Sequence, residues 1–137
     1  MNTAPIYIVD DDKDEWEFLQ DAWKELEFTN ELVFFSNAED LLKQLRNEKA
    51  VPFLIISDVK LNKMSGFDLK KKIVEDKSIA YKSIPFVFFS TTATTEQIEK
   101  SYDLGSNGFF IKGPNIEEIK STLKDIVNYW QKSKTPN

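Results

Sequence analysis

Residues 53–58 read Phe53-Leu54-Ile55-Ile56-Ser57-Asp58, four apolar side chains followed by a hydroxyl and a carboxylate. A continuous apolar run of this length, bounded by polar residues, is typical of a central strand that is buried on both faces of a parallel sheet. We therefore predict a strand over Phe53–Ser57, with Asp58 at its carboxyl end.

Four further apolar runs of strand length lie on either side of this one, and a segment with apolar residues at helical spacing follows each run. The first such segment carries Trp16, Leu19, Trp23 and Leu26 on one face. Alternating strands and helices favour a parallel sheet with right-handed crossovers. The sequence thus predicts an α/β fold of (βα)5 type, a doubly wound five-stranded parallel sheet with flavodoxin-like topology and helices on both faces. The other predicted strands are Ile6–Val9, Leu32–Phe35, Phe86–Phe89 and Phe109–Ile111.

The sequence also marks where two of the helices begin. Ser36 is followed three residues later by Glu39, and Asn115 is followed in the same way by Glu118. This is the spacing of a capping box. We therefore expect Ser36 and Asn115 to be the N-caps of the second and fifth helices.

Length and composition limit the classes of function. The chain has 137 residues, no Cys, no His and a formal net charge of -5. The length suits one domain over residues 1–137, with a core over about 5–131 and a polar tail over 132–137. Without thiols or imidazoles, any metal must bind oxygen. The negative charge argues against direct nucleic-acid binding, and the lack of a long apolar run predicts a cytoplasmic protein with no membrane contact.

Carboxylates follow two of the predicted strands. Asp10-Asp11-Asp12 ends the first strand, and Asp58 ends the third. Because the carboxyl ends of parallel strands share one edge of the sheet, these side chains crowd together if the two strands are neighbours. Two carboxylates about 4 Å apart repel by roughly 4 kcal/mol at an effective dielectric constant near 20, and a divalent cation relieves that repulsion. We expect Mg²⁺ or Mn²⁺, which prefer oxygen ligands.

Two further polar groups are predicted at the same edge. Ser90-Thr91-Thr92 closes the fourth strand, and Lys112, expected to be a mobile cation, closes the fifth. A hydroxyl can hydrogen-bond to a phosphoryl oxygen, and an ammonium group can neutralise it. Phosphoryl transfer needs mainly an in-line nucleophile among such groups. Asp58, a cation, Ser90 and Lys112 together indicate phosphoryl transfer.

Each of these residues also has an ordinary structural explanation. Asp12 and Asp14 fit an acidic helix start that the helix dipole stabilises, and we assign them to it. Taken singly, Asp58 suits a turn, Ser90 a turn or cap, and Lys112 a solvated surface. Only the combination indicates a functional site.

Together these motifs resemble the receiver domain of two-component response regulators, from Ile6 to about Trp130. The resemblance implies a signalling protein rather than an enzyme acting on other substrates. It implies a sensor histidine kinase or a phosphotransfer protein as phosphoryl donor and a downstream protein as partner, and it leaves homodimerisation open. The motifs are Ile8-Val9-Asp10-Asp11-Asp12, Asp58 with Gly66 eight residues later, Ser90 after Pro85, and Lys112 after Gly108-Phe109-Phe110-Ile111.

The resemblance also implies a role for each site residue. Asp58 would be the phosphoacceptor, and Ser90 and Lys112 would contact the phosphoryl group. Ser90 would also act as a switch together with Phe109, whose ring would turn inward. The metal would be bound by Asp11, by Asp58, by the backbone carbonyl of Lys60, and by Asp10 through water.

Three positions depart from the pattern of the family. Asn62 stands where the family often has Pro, and Lys60 places a cation beside the acceptor. Gly113 separates Lys112 from Pro114, so the usual Lys-Pro junction is missing. A cis bond before a residue other than proline costs about 3 kcal/mol, so we expect the Lys112-Gly113 bond to be trans.

Three alternative functions share part of this fold and chemistry. In a small phosphohydrolase of the haloacid dehalogenase type, Asp10 would be the nucleophile and Asp12 the acid and base, but Asp58 would have no necessary role. A flavodoxin-like flavin carrier would need a hydroxyl- and glycine-rich loop where this chain is acidic. A receiver-like module that binds partners without phosphorylation would keep the fold and lose the chemistry.

Overall fold

Five parallel strands form one sheet in the order β2-β1-β3-β4-β5. The computed structural model describes residues 2–47, 49, 51–80 and 82–136. A helix follows each strand along the chain, so the predicted (βα)5 fold is confirmed. The elements are β1 (Ile6–Val9), α1 (Lys13–Lys24), β2 (Leu32–Phe35), α2 (Ala38–Leu45), β3 (Leu54–Ser57), α3 (Gly66–Glu75), β4 (Phe86–Ser90), α4 (Thr95–Asp103), β5 (Phe109–Ile111) and α5 (Ile116–Lys132).

Two predicted strand boundaries are wrong by one residue. Phe53 precedes β3, although its backbone N–H still donates to Pro5 O at 2.8 Å. At the other end, β4 continues to Ser90, because Ser90 pairs with Ile111 of β5. The hydrogen-bonded pairing of β4 with β5 therefore places Ser90 at the carboxyl edge of the sheet.

The start of α2 also differs from the prediction. Asn37, not Ser36, is the N-cap, and its side-chain oxygen accepts the N–H of Asp40 at 2.8 Å. Ser and Asn are about equally favourable as N-caps, so the residue types alone do not show which of the two neighbours caps the helix. The prediction for α5 is confirmed, because Asn115 accepts the N–H of Glu118 at 3.0 Å.

The sheet separates two apolar layers. Side chains alternate along β1, so Ile6 and Ile8 face one layer while Tyr7 and Val9 face the other. The first layer is closed by α1 and α5, and the second by α2 and α3. The central strands are therefore buried on both faces. The helical members are Leu19, Ala22, Ile119, Leu123, Ile126 and Val127 in the first layer, and Ala38, Leu41, Leu42, Leu45, Phe67, Leu69 and Ile73 in the second.

The register of the central strands aligns their polar ends. Val9 pairs with Ser57, and the N–H of Asp58 donates to Val9 O at 3.0 Å. On the other side of β1, the N–H of Asp10 donates to Phe35 O at 3.0 Å. Asp10 and Asp58 thus leave neighbouring strands at the same level.

Helix α4 is the least buried helix of the described structure. Ser101 is its one buried residue, while Ile98 and Tyr102 are exposed. The described residues contain no cis peptide bond, so the expected trans Lys112-Gly113 bond is confirmed. Within the described residues, no helix combines the length and the apolar composition that a membrane span requires.

Candidate functional site

Three carboxylates surround the ammonium group of Lys112 at the carboxyl edge of the sheet. Its Nζ lies 2.7 Å from Asp10 Oδ2, 3.7 Å from Glu15 Oε2 and 3.9 Å from Asp58 Oδ2. The side chains of Lys112 and Asp10 are 3% and 2% exposed, whereas that of Asp58 is 19% exposed. Lys112 and Asp10 form a buried ion pair, and Asp58 is the more accessible of the two strand-end carboxylates.

The structure thus brings together Asp10, Asp58 and Lys112, which are far apart in the sequence. Lys112 is not the solvated, mobile cation that its position in the sequence suggested, because it is buried and donates a hydrogen bond to Asp10 at 2.7 Å. Burial lowers the pKa of the Lys112 ammonium, but Asp10, Asp58 and Glu15 outweigh this effect and hold the pKa above its ordinary value. Lys112 is therefore charged at neutral pH.

The two carboxylate oxygens of Asp58 have different neighbours. The backbone N–H of Val59 donates to Asp58 Oδ1 at 2.7 Å, while Oδ2 faces Lys112. Burial raises the pKa of the Asp58 carboxyl, and the negative charge of Asp10 adds to the shift. Lys112 and the backbone N–H groups of Val59 and Lys60 oppose it without cancelling it. Ionised Asp58 is consequently unfavourable for the fold.

Asp58→Asn is expected to stabilise the protein by about 1 kcal/mol at pH 7 without divalent cations, the range typical of relieving a strained functional site. Folding raises the pKa of Asp58, so its favourable contribution is complete below the unfolded value of 3.8 and is lost as the pH rises through the folded pKa. The gain should therefore be absent near pH 3 and constant at neutral pH. Thermal unfolding at both pH values, in chelator, measures it, and equal gains at both would contradict it.

Asp11 follows Asp10 in the chain, and it lies on the wall of an open cleft. The cleft has a volume of about 700 Å³ and is also lined by Ser36, Asn37, Asn62 and Met64. Within the described residues, the Asp11 side chain makes no hydrogen bond or ion pair. Its carboxylate is therefore free to bind a cation.

A divalent cation fits the chemistry of these donors. No group of three or more Asp, Glu, His or Cys side chains in the described part of the chain is arranged to hold a metal. Mg²⁺ typically takes only one or two carboxylates and keeps several waters. Asp11 and Asp58 both supply carboxylate oxygen, so the donor chemistry suits such an ion.

Of the predicted switch residues, Ser90 is the last residue of β4 and Phe109 is the first residue of β5, where it pairs with Phe88. Ser90 is buried, and its hydroxyl donates to Thr92 O at 2.9 Å. Phe109 is partly buried, and its ring centroid lies 5.9 Å from that of Phe88. Phe88 in turn meets Phe67 of α3 at 5.1 Å. Phe109 is thus in contact with the core.

Two further residues lie at this edge, and the sequence did not predict their place there. Glu15, on the first turn of α1, faces Lys112, and the indole N–H of Trp16 donates to Asp10 O at 2.8 Å. Trp16 was assigned only to the apolar face of its helix. The signal for Glu15 was its position three residues after the N-cap Asp12, where a side chain points back toward the start of the helix.

Solved structures and curated proteins resemble the chain over nearly its whole length. The phosphorylated cyanobacterial phytochrome response regulator RcpA is 26% identical and superposes with a TM-score of 0.87, covering 99% of this chain and all of that one. The response regulator Rcp1 of Synechocystis is 23% identical over 95% of this chain and 90% of its own, and its Mn²⁺-bound structure superposes with a TM-score of 0.83. A probable methanogenesis regulatory protein, FilR2 of Methanothrix harundinacea, is 23% identical over 91% of this chain and 82% of its own.

The family match decides among the interpretations of function that the sequence left open. Residues 6–124 match the response regulator receiver domain, and the match includes both strand-end carboxylates and Lys112. This is a family of signalling proteins, not of phosphohydrolases or flavin carriers. The chain belongs to the response regulator receiver domain family of two-component signalling.

Proposed function

We propose that the chain accepts a phosphoryl group on Asp58, in a reaction that uses Mg²⁺ or Mn²⁺, and signals by a conformational change. The main support is the placement of Asp58, which is accessible and lies 3.9 Å from a buried ammonium group that Asp10 already holds. A phosphoryl group on Asp58 would bring negative charge within reach of Lys112. The family membership supports the same function.

In this proposal Asp11, Asp58 and the backbone carbonyl of Lys60 would hold the metal, and Asp10 would contribute through water. When bound, the cation neutralises the charge of the transferred group. The bond from phosphorus to the nitrogen of a phosphohistidine breaks, and a bond to an Asp58 carboxylate oxygen forms. Lys112 then pairs with a phosphoryl oxygen.

Ser90 and Phe109 couple the modification to the surface. The Ser90 hydroxyl now donates to a backbone carbonyl, and a phosphoryl oxygen offers it a charged acceptor instead. In this proposal the Ser90 hydroxyl would move toward the phosphoryl group, and the Phe109 ring would turn inward. Because only one state offers these partners to Ser90 and Lys112, phosphorylation shifts the population between two surfaces.

The partners follow from the same chemistry. A receiver domain implies a cognate histidine kinase, so the donor is a phosphohistidine on a sensor kinase or a phosphotransfer protein. The output is a protein that recognises the changed surface. The net charge of -5 argues against direct nucleic-acid binding, because it repels the phosphate backbone. We place this activity in the cytoplasm and treat residues 1–137 as one receiver unit.

The test is to incubate the protein with Mg²⁺ and phosphoramidate and to locate the label by mass spectrometry. We expect a base-labile gain of one phosphoryl group on Asp58, lost in Asp58→Asn and after chelation. Asp103→Asn, an exposed carboxylate on α4, is the matched control and should label like the wild type. An unlabelled wild type would instead support a receiver fold that binds partners without phosphorylation.

A further inference from the structure

Glu15 is a partly buried residue, with a side chain that is 23% exposed, but one of its two carboxylate oxygens is fully buried. Its Oε2 is the one buried side-chain nitrogen or oxygen in the described residues that has no hydrogen-bond partner. The nearest opposite charge is Lys112 Nζ, at 3.7 Å. An unsatisfied buried carboxylate oxygen is unfavourable, so its position calls for a physical cause.

The local structure of the helix start explains the orientation of Glu15. Asp12 is the N-cap of α1, and its side chain accepts the N–H of Asp14. Glu15 is therefore the N3 residue, whose side chain would return to the N–H of Asp12 in a capping box. That N–H already donates to Asp10 Oδ1 at 2.9 Å. With this donor taken, Glu15 turns to Lys112.

Lys112 is thus shared unequally among three carboxylates. Its side chain donates a hydrogen bond to Asp10, and its ammonium group lies 5.7 Å from the centre of the Phe89 ring. Glu15 and Asp58 are at nearly equal distances, 3.7 and 3.9 Å. Any movement of Lys112 away from Glu15 leaves a buried negative oxygen with no cation beside it.

We infer that Glu15 is a positioning residue that holds Lys112 on the Asp10 side of the site and so opposes its transfer to a phosphoryl group on Asp58. This inference rests on the proposed function. In the phosphorylated protein, Lys112 would be drawn toward Asp58, and the Glu15 carboxylate would lose its counter-charge. Glu15 thereby sets how much of the phosphorylated protein reaches the signalling state.

The test is Glu15→Gln, which keeps the shape of the side chain and removes its charge. At saturating Mg²⁺, we expect the phosphoramidate concentration for half-maximal labelling to fall about tenfold, because movement of Lys112 toward the phosphoryl group no longer leaves a Glu15 charge without its cation. The phosphoryl analogue BeF₃⁻ should bind more tightly by a similar factor, without any turnover. The change in tryptophan fluorescence on binding measures its dissociation constant. Glu15→Asp should stay within about threefold of the wild type, because it retains the charge.

Glu17→Gln is the matched control, since Glu17 is an exposed residue on the same helix. Wild-type values for this variant, with tightening in Glu15→Gln alone, would support the inference. Unchanged or weaker BeF₃⁻ binding by a folded Glu15→Gln variant would overturn it, while labelling of wild-type Asp58 would leave the proposed function standing. If the wild type neither labels nor binds BeF₃⁻, the proposed function itself fails.

Discussion

Replacing Lys112 with methionine is expected to lower the free energy of unfolding by about 3 kcal/mol at pH 7 and to slow phosphorylation of Asp58 about 100-fold. Lys112 is 3% exposed and is the cation nearest to Asp10, Glu15 and Asp58. Methionine keeps the apolar stem but leaves a buried Asp10 carboxylate unpaired. Urea unfolding measures the first effect, and the rate of labelling by phosphoramidate at saturating Mg²⁺ measures the second.

The pH dependence of this destabilisation separates charge from packing. The pKa of Lys112 is raised on folding, so its stabilisation is complete below its ordinary value of 10.5 and is lost as the pH rises through the folded pKa. The difference from the wild type should therefore be constant from neutral pH to about pH 10 and shrink above it. Lys124→Met, at an exposed position on α5, is the control and should change stability by less than about 0.5 kcal/mol. A loss that is the same at every pH would assign the effect to packing.

The parts of this structure that the sequence predicted are those governed by repetitive patterns. Apolar runs and helical spacing identified all five strands and the helices that follow them. The rule that parallel strands end at one edge predicts that Asp10, Asp58 and Lys112 converge, and Lys112 Nζ lies 2.7 Å from Asp10 and 3.9 Å from Asp58. Long-range convergence was predictable because the topology alone produces it.

The parts that the sequence did not predict depend on single competing hydrogen bonds. Ser36 and Asn37 were both able to cap α2, and only the geometry selected Asn37. In the sequence, Glu15 is one of several acids at a helix start, and nothing in the pattern indicates that the N–H of Asp12 donates to Asp10 instead of to Glu15. The burial of Lys112 was also missed, since lysine is ordinarily exposed and its three carboxylate neighbours come from other elements.

Gly66→Ala is expected to lower the free energy of unfolding by about 3 kcal/mol, because the packing around this glycine leaves no room for a methyl group. A Cβ there would lie 2.2 Å from the backbone carbonyl oxygen of Asp58 and 3.0 Å from both Phe88 and Ser57. The backbone is further fixed by the N–H of Gly66, which donates to Val59 O at 2.8 Å. Urea unfolding should give a lower midpoint with an unchanged slope.

The same substitution should slow phosphorylation, since the methyl group pushes on the peptide that carries Asp58. Gly105→Ala is the informative contrast, because no atom lies within 4 Å of its added Cβ but its φ of +82° disfavours any side chain. That variant should lose only about 1 kcal/mol and label Asp58 at the wild-type rate. If the two variants lost equal stability, backbone conformation rather than crowding would explain both. A Gly66→Ala variant that labelled normally would show that the Asp58 peptide can move away from α3 without moving the carboxylate.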